Sequence, residues 1–151
     1  MAPVPDTMRL AGPTDSDQLA ELWLRSRKAA VPSIPAPVHD DDDVRGYFGR
    51  VVVPTMEVWV VERQGAIVAL LALSERWIEH LYVEPGLTGQ GLGTRLLGRA
   101  RERRPGGLDL WTFQSNAGAR RFYERHGFVA VGMTEGDNEE GAPDVRYEWR
   151  P

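Results

Sequence analysis

Thr88-Gly89-Gln90-Gly91-Leu92-Gly93-Thr94 stands between a β-rich run, Trp77 to Val83, and a segment with Leu92, Leu96, Leu97 and Ala100 at helical spacing. Strand, glycine-rich loop and helix together turn backbone N–H groups outward at the positive end of a helix, where a phosphate or pyrophosphate is favoured. Three glycines at alternate positions exceed what a tight turn requires. Two familiar phosphate loops are excluded by the residues themselves. A P-loop ends in Gly-Lys-Ser/Thr, and Gly93-Thr94-Arg95 has no lysine. The dinucleotide fingerprint G-x-G-x-x-G is missed, because the third glycine, Gly93, falls one position early.

Outward from this loop, the chain changes period twice. Upstream, Val58 to Val61 and Ile67 to Leu73 are β-rich runs separated by the hairpin residues Arg63-Gln64-Gly65. Before them lie two amphipathic helices. The first follows a short strand at Met8 to Ala11, starts from a Thr14/Asp17 capping-box variant and runs to about Ala29. The second follows Asp40 to Asp43 and carries Val44, Tyr47, Phe48 and Val51 on one face. Val31 to Val38 holds three prolines and reads as an extended connector, and residues 1 to 7 as a loose lead-in. Downstream, Leu108 to Phe113 is a strand and Asn116 to His126 a helix closed by Gly127. Phe128 to Val131 and Val145 to Trp149 flank an acidic loop as the last two strands. Antiparallel strands followed by β-α-β-α-β predict a mixed α/β sheet with helices on both faces, in a single domain spanning 1–151.

Composition narrows the partners. At 151 residues and 42% hydrophobic, the chain can bury a substantial core. A net charge of −4 argues against a nucleic-acid-binding module, which normally carries a basic excess. The absence of cysteine excludes disulfides, thiolate metal sites and a cysteine nucleophile. His39, His80 and His126 are scattered and form no metal constellation. No run approaches the roughly 20 apolar residues of a membrane helix, and the expected location is the cytoplasm.

Val83-Glu84-Pro85, Gly89-Gln90-Gly91-Leu92-Gly93 and Leu96-Leu97 resemble the acyl-CoA-binding motif of the GNAT N-acetyltransferase superfamily. That motif reads Arg/Gln-x-x-Gly-x-Gly/Ala, and Thr88 stands here at the Arg/Gln position, a departure that costs a side chain but no backbone donor. The segment from Asn116 to Phe128, with Ala119, Phe122, Tyr123 and Gly127, resembles the family's N-x-x-A-x-x-F-Y-x-x-x-G-F helix. With their flanking strands the two motifs cover roughly residues 56 to 150. The resemblance implies the GNAT fold and an acetyl-CoA-dependent N-acetyltransferase in which an amine attacks the thioester directly in a ternary complex.

The resemblance also implies roles. The pantetheine arm of acetyl-CoA would lie between splayed strands, bonded to the backbone of Leu81 and Val83 and to Asn116. A strand N–H near Leu81 or Tyr82 would hold the oxyanion. Thr88, Gly89, Gln90, Gly91, Gly93 and Thr94 would cradle the pyrophosphate. Asn116 equally suits a plain helix N-cap. Tyr123 is the family's usual general acid, and Glu79 or His80 its base, Glu79 being favoured. Strand alternation sets Glu79 and His80 on opposite faces unless a bulge intervenes.

The acceptor is the least determined part. The acidic loop after Val131, with Glu139 and Glu140, and the aromatic residue Trp77 are its candidate ligands, beside Trp23 and Tyr47. Acids there fit a small cationic amine, with the N-terminus of a peptide or protein as an alternative and a non-catalytic acyl-CoA-binding module as another. A homodimer is expected by analogy only.

Overall fold

Period-two hydrophobic runs in the middle of the chain build the sheet. The structure, a computed structural model, describes residues 5–151. β2 (Glu57–Arg63) and β3 (Ala66–Ser74) form a hairpin over Gln64 and Gly65, both with positive φ, as a two-residue turn between twisted strands demands. β1 (Thr7–Leu10) pairs antiparallel with β2, and β4 (Trp77–Val83) antiparallel with β3. β5 (Leu108–Phe113) lies parallel to β4, followed by β6 (Val129–Met133) and β7 (Asp144–Trp149). The seven strands run in the order β1-β2-β3-β4-β5-β7-β6.

Helices cover both faces. α1 (Ser16–Ala29) and α2 (Asp41–Tyr47), the latter continued by a π turn (Phe48–Val52) and α3 (Val53–Thr55), share one apolar cluster. There Leu19, Leu22, Phe48 and Val52 meet Val58, Val60 and Leu70. On the other face α4 (Leu92–Arg103) buries Leu92, Leu96 and Leu97 with Val61, Ala69 and Leu71, and α5 (Ala117–Arg125) adds Tyr123. Each such leucine removes enough apolar surface from water to contribute roughly 2 kcal/mol. Among the described residues no helix is long and apolar enough to cross a membrane.

Four local expectations need correcting. The cap of the first helical segment is formed by Gly12 and Asp15, not Thr14 and Asp17: the Gly12 N–H donates to Asp15 Oδ2 at 2.8 Å, and Arg9 fixes the same carboxylate. Pro13 then begins a 3-10 turn that leads into α1. The second helix buries Val44, Phe48 and Val52, because the π turn rotates the apolar stripe by one residue and leaves Val51 exposed. Val31 to Val38 begins as a turn, with the Ile34 N–H donating to the Ala30 carbonyl and Ile34 buried. The lead-in is also shorter than expected. Thr7 already belongs to β1, and Asp6 holds the Arg63 guanidinium through two 2.9 Å bonds, while residues 1–4 lie outside the described part.

Candidate active site

β4 and β5 touch only at their base. Their single register pair is Trp77 with Asp109. Asp109 clamps that end: its N–H donates to the Arg76 carbonyl, and its buried carboxylate accepts from Arg76 and Arg150 at 2.7 and 2.9 Å. Burial works against the Asp109 charge, but the two guanidinium groups outweigh it and hold the carboxyl below its usual range. Above this clamp the strands part. A cleft of about 130 Å³ opens between them, lined by Leu81, Tyr82, Leu110, Phe113, Asn116 and Tyr123.

The glycine loop closes the far end of β4. Gly89 and Gly91 take positive φ, and a Cβ at either position would meet open space. Glycine is therefore selected there by backbone conformation, in a loop free to be approached from outside. Gly91 caps α4, whose first intrahelical bond is from Arg95 to Gly91. The N–H groups of Leu92, Gly93 and Thr94 belong to the first turn, which has no intrahelical acceptors. Gly93 serves packing: a Cβ there would press on the Phe122 ring at 3.4 Å, so α4 and α5 approach closely. Gln90 accepts a bond from Arg63, and Thr88 is exposed. Thr94 bonds His126 at 3.2 Å, and His126 in turn holds the Phe122 carbonyl, fastening α5 to the start of α4.

A bulge decides the geometry at the centre of β4. Ala72 pairs with His80 and Leu73 with Ile78, which leaves Glu79 as the extra residue. The expected alternation is broken, and Glu79 and His80 line the same spaces: the cleft and a second cavity of about 510 Å³. Partial burial raises the Glu79 carboxyl above its usual range. Burial, reinforced by the charge of Arg27, lowers His80 to about 4. The imidazole is therefore neutral near pH 7, with Nε2 at 3.1 Å from the Tyr47 hydroxyl and Nδ1 buried without a partner. Tyr123 is buried among Phe122, Phe128 and Tyr147, and this desolvation pushes its phenol up.

The larger cavity is assembled against β4 from four further segments. α1 brings Trp23 and Arg27, the α1–α2 connection brings His39, α2 brings Tyr47, and the β6–β7 loop brings Glu139 and Glu140. His39 Nε2 meets Glu139 Oε2 at 2.9 Å and so ties the two loops across the mouth. Arg27, Glu79, His80 and Tyr82 border both cavity and cleft, so the two spaces meet there.

Of the residues expected from the sequence, Leu81, Tyr82, Asn116, Tyr123, Glu79 and His80 all border the cleft. Val83 lies beyond it, and its carbonyl accepts from Ser26 on α1 at 3.2 Å. Asn116 is the N-cap of α5, accepting from the Ala119 N–H at 3.1 Å. Trp77 lies at the base of β4 under Arg146 and lines neither space, because the clamp at Asp109 keeps that end of the strand away from the opening. Arg27 was missed. Its place in line with Leu19 and Trp23, at four-residue spacing, puts a charge on an apolar helical stripe and was a legible signal.

The chain matches the GNAT acetyltransferase domain family over residues 54–130. The peptidyl-lysine N-acetyltransferase YjaB of Salmonella typhimurium is 31% identical over 130 residues, covering 82% of this chain and 83% of that one. The solution structure of apo-form YjaB from Escherichia coli superposes with a TM-score of 0.77 at 22% identity, over 97% of this chain and 98% of the other. The PaiA N-acetyltransferase of Thermoplasma acidophilum, solved with coenzyme A, superposes with a TM-score of 0.72 at 15% identity, over 98% and 100%. The chain belongs to the GNAT acetyltransferase family, and its class is that of the acetyl-CoA-dependent N-acetyltransferases. An enzyme, rather than a non-catalytic acyl-CoA-binding module, is the reading these relationships support.

Proposed function

We propose that this protein acetylates the primary amine of a small molecule held in the 510 Å³ cavity, using acetyl-CoA bound along β4. The observation that carries the reading is the meeting of cleft and cavity at Glu79 and His80. A donor lying in the cleft and an amine in the cavity reach each other only there.

The residues fit acetyl-CoA. The outward N–H groups of the glycine loop and the first turn of α4 suit a pyrophosphate. The parted edge of β4 offers the backbone groups of Leu81, which face away from β3, to the amides of the pantetheine arm. Asn116 and Tyr123 face the same cleft. Acetyl-CoA supplies an acyl group activated as a thioester. Glu79 takes the proton that the attacking amine must lose, directly or through water. Partial burial raises its pKa, which makes it a stronger base than an ordinary carboxylate. Tyr123 delivers its phenolic proton to the departing sulfur as the carbon–sulfur bond breaks and the carbon–nitrogen bond forms. Burial that disfavours a phenolate disfavours a thiolate alike, so the donor and its target shift together.

Glu139, Glu140 and Asp43 give the cavity an acidic rim that draws an ammonium group inward, toward Glu79 at the junction with the cleft. A second reading, the side-chain amine of a peptidyl lysine, is favoured by the activity named for the YjaB relatives. Steady-state CoA release, followed with a thiol reagent, tests both. Small amines outpacing lysine peptides supports the first reading, and the reverse order supports the second. Silence with every amine despite bound acetyl-CoA would remove the catalytic assignment.

A further inference from the structure

Arg27 is 6% exposed and borders both the cavity and the cleft. Its guanidinium lies between the rings of Trp23 and Phe113, at 4.9 and 5.7 Å from their centroids. Its Nη2 donates to the Pro35 carbonyl at 3.2 Å and the Tyr82 phenol is its neighbouring polar group, both neutral, while Nε is buried with no partner. Among the described residues no carboxylate comes within 4.0 Å of it. The chain's other buried ionic groups are treated differently: Asp109 has Arg76 and Arg150, and Asp15 has Arg9. A buried charge is normally paired, and an arginine keeps its charge in proteins. An unpaired guanidinium fork in the wall of a reaction cavity is suited to an anion that arrives with the ligand.

We infer that Arg27 receives a carboxylate of the acceptor, so that the preferred substrate is an amino acid or a similar amine carrying a carboxylate close to the reacting nitrogen. The inference rests on the acetyltransferase reading and sharpens its substrate class. The cavity then has complementary ends. The acidic rim attracts the ammonium group, and Arg27, at the junction with the cleft, grips the carboxylate and holds the amine beside Glu79. A purely cationic amine would bring its charge toward an uncompensated buried cation.

The test compares natural amino acids with the amines left by removing their carboxyl group, such as lysine with cadaverine, and with the corresponding amino-acid amides. CoA release and calorimetric binding to the CoA-saturated protein are both read. We expect at least one amino acid to exceed its decarboxylated partner by about 100-fold in kcat/KM, the scale on which a built polar site rejects a ligand lacking its group. Arg27→Gln should reduce that ratio to within about threefold, while Arg27→Lys retains part of it. Urea unfolding, measured separately, reports whether each variant keeps its fold. Decarboxylated amines or amides equalling their parents on the wild-type protein would overturn the inference, whatever the variants do. So would a preference that survives Arg27→Gln, or an Arg27-dependent preference for succinyl-CoA over acetyl-CoA. Failure of acetyl-CoA itself to bind counts instead against the acetyltransferase reading on which the inference stands.

Discussion

The donor half of the site, from β4 through α5, and the acceptor half, from α1 and α2 with the β6–β7 loop, are built in different ways. The donor half relies on backbone. Parted strands, two glycines of positive φ and an open helix turn supply N–H and C=O groups, and side chains such as Asn116 and Tyr123 are added at the cleft. The acceptor half is made of side chains brought together from four segments, which set a buried cation and an acidic rim against the neutral His80 of β4 in one cavity. Backbone recognition tolerates substitution at most positions, so the same donor can be held by many sequences. Side-chain recognition changes with single residues, so the acceptor half is where specificity resides.

That contrast can be broken most forcefully at Tyr123. Tyr123→Phe should lower kcat by about 100-fold or more while acetyl-CoA affinity stays within about twofold, since general acids commonly contribute that much to rate. Unchanged turnover, measured as CoA release, would take Tyr123 out of the chemistry and leave it as packing.

An effect of similar size, read in stability rather than in rate, is expected at His80. Its folded value of about 4 lies below the ordinary 6.5, so between those limits the unfolded chain binds a proton that the folded chain refuses. The stabilising contribution is complete above pH 6.5 and is lost as pH falls toward 4, by about 3 kcal/mol in all. Urea unfolding at pH 7 and 4.5 should therefore show a steeper loss for the wild-type protein than for His80→Asn. Parallel losses in the two proteins would place the histidine in a wetter setting than the cavity wall.

In the donor half, Gly91→Val should weaken acetyl-CoA by about tenfold, because a β-branched residue strains at the φ of +84° that opens the loop. Amine selectivity should be untouched. The smallest change is expected at the exposed pair across the cavity mouth. His39→Gln should alter the amine KM by no more than about threefold, as an exposed polar pair contributes little.

The same contrast explains what the sequence revealed. β4 and β5 were predicted with their observed boundaries, because their apolar runs are bracketed by Pro85-Gly86 and Gly106-Gly107. The glycine loop and the Tyr123 helix were legible because their functional positions are adjacent in the chain. The bulge at Glu79 stayed an open alternative on the sequence, since it depends on how β3 and β4 pair over long range. The π turn likewise arises from packing rather than propensity, and it moved the buried face from Val51 to Val52. Trp77 illustrates the opposite error. It was grouped with the acceptor as an aromatic beside Trp23 and Tyr47, yet the Asp109 clamp holds that end of the strand shut. Arg27 could have been found by asking why a charge occupies an apolar stripe, but its neighbours Phe113 and Pro35 are remote in sequence.

The most direct test of the donor half is a calorimetric titration of the protein with acetyl-CoA, with ATP and NAD as controls. We expect saturable binding of acetyl-CoA in the micromolar range and no heat from either control. No acetyl-CoA binding would contradict the assignment of the parted strands and glycine loop as an acyl-CoA site, and with it the proposed reaction.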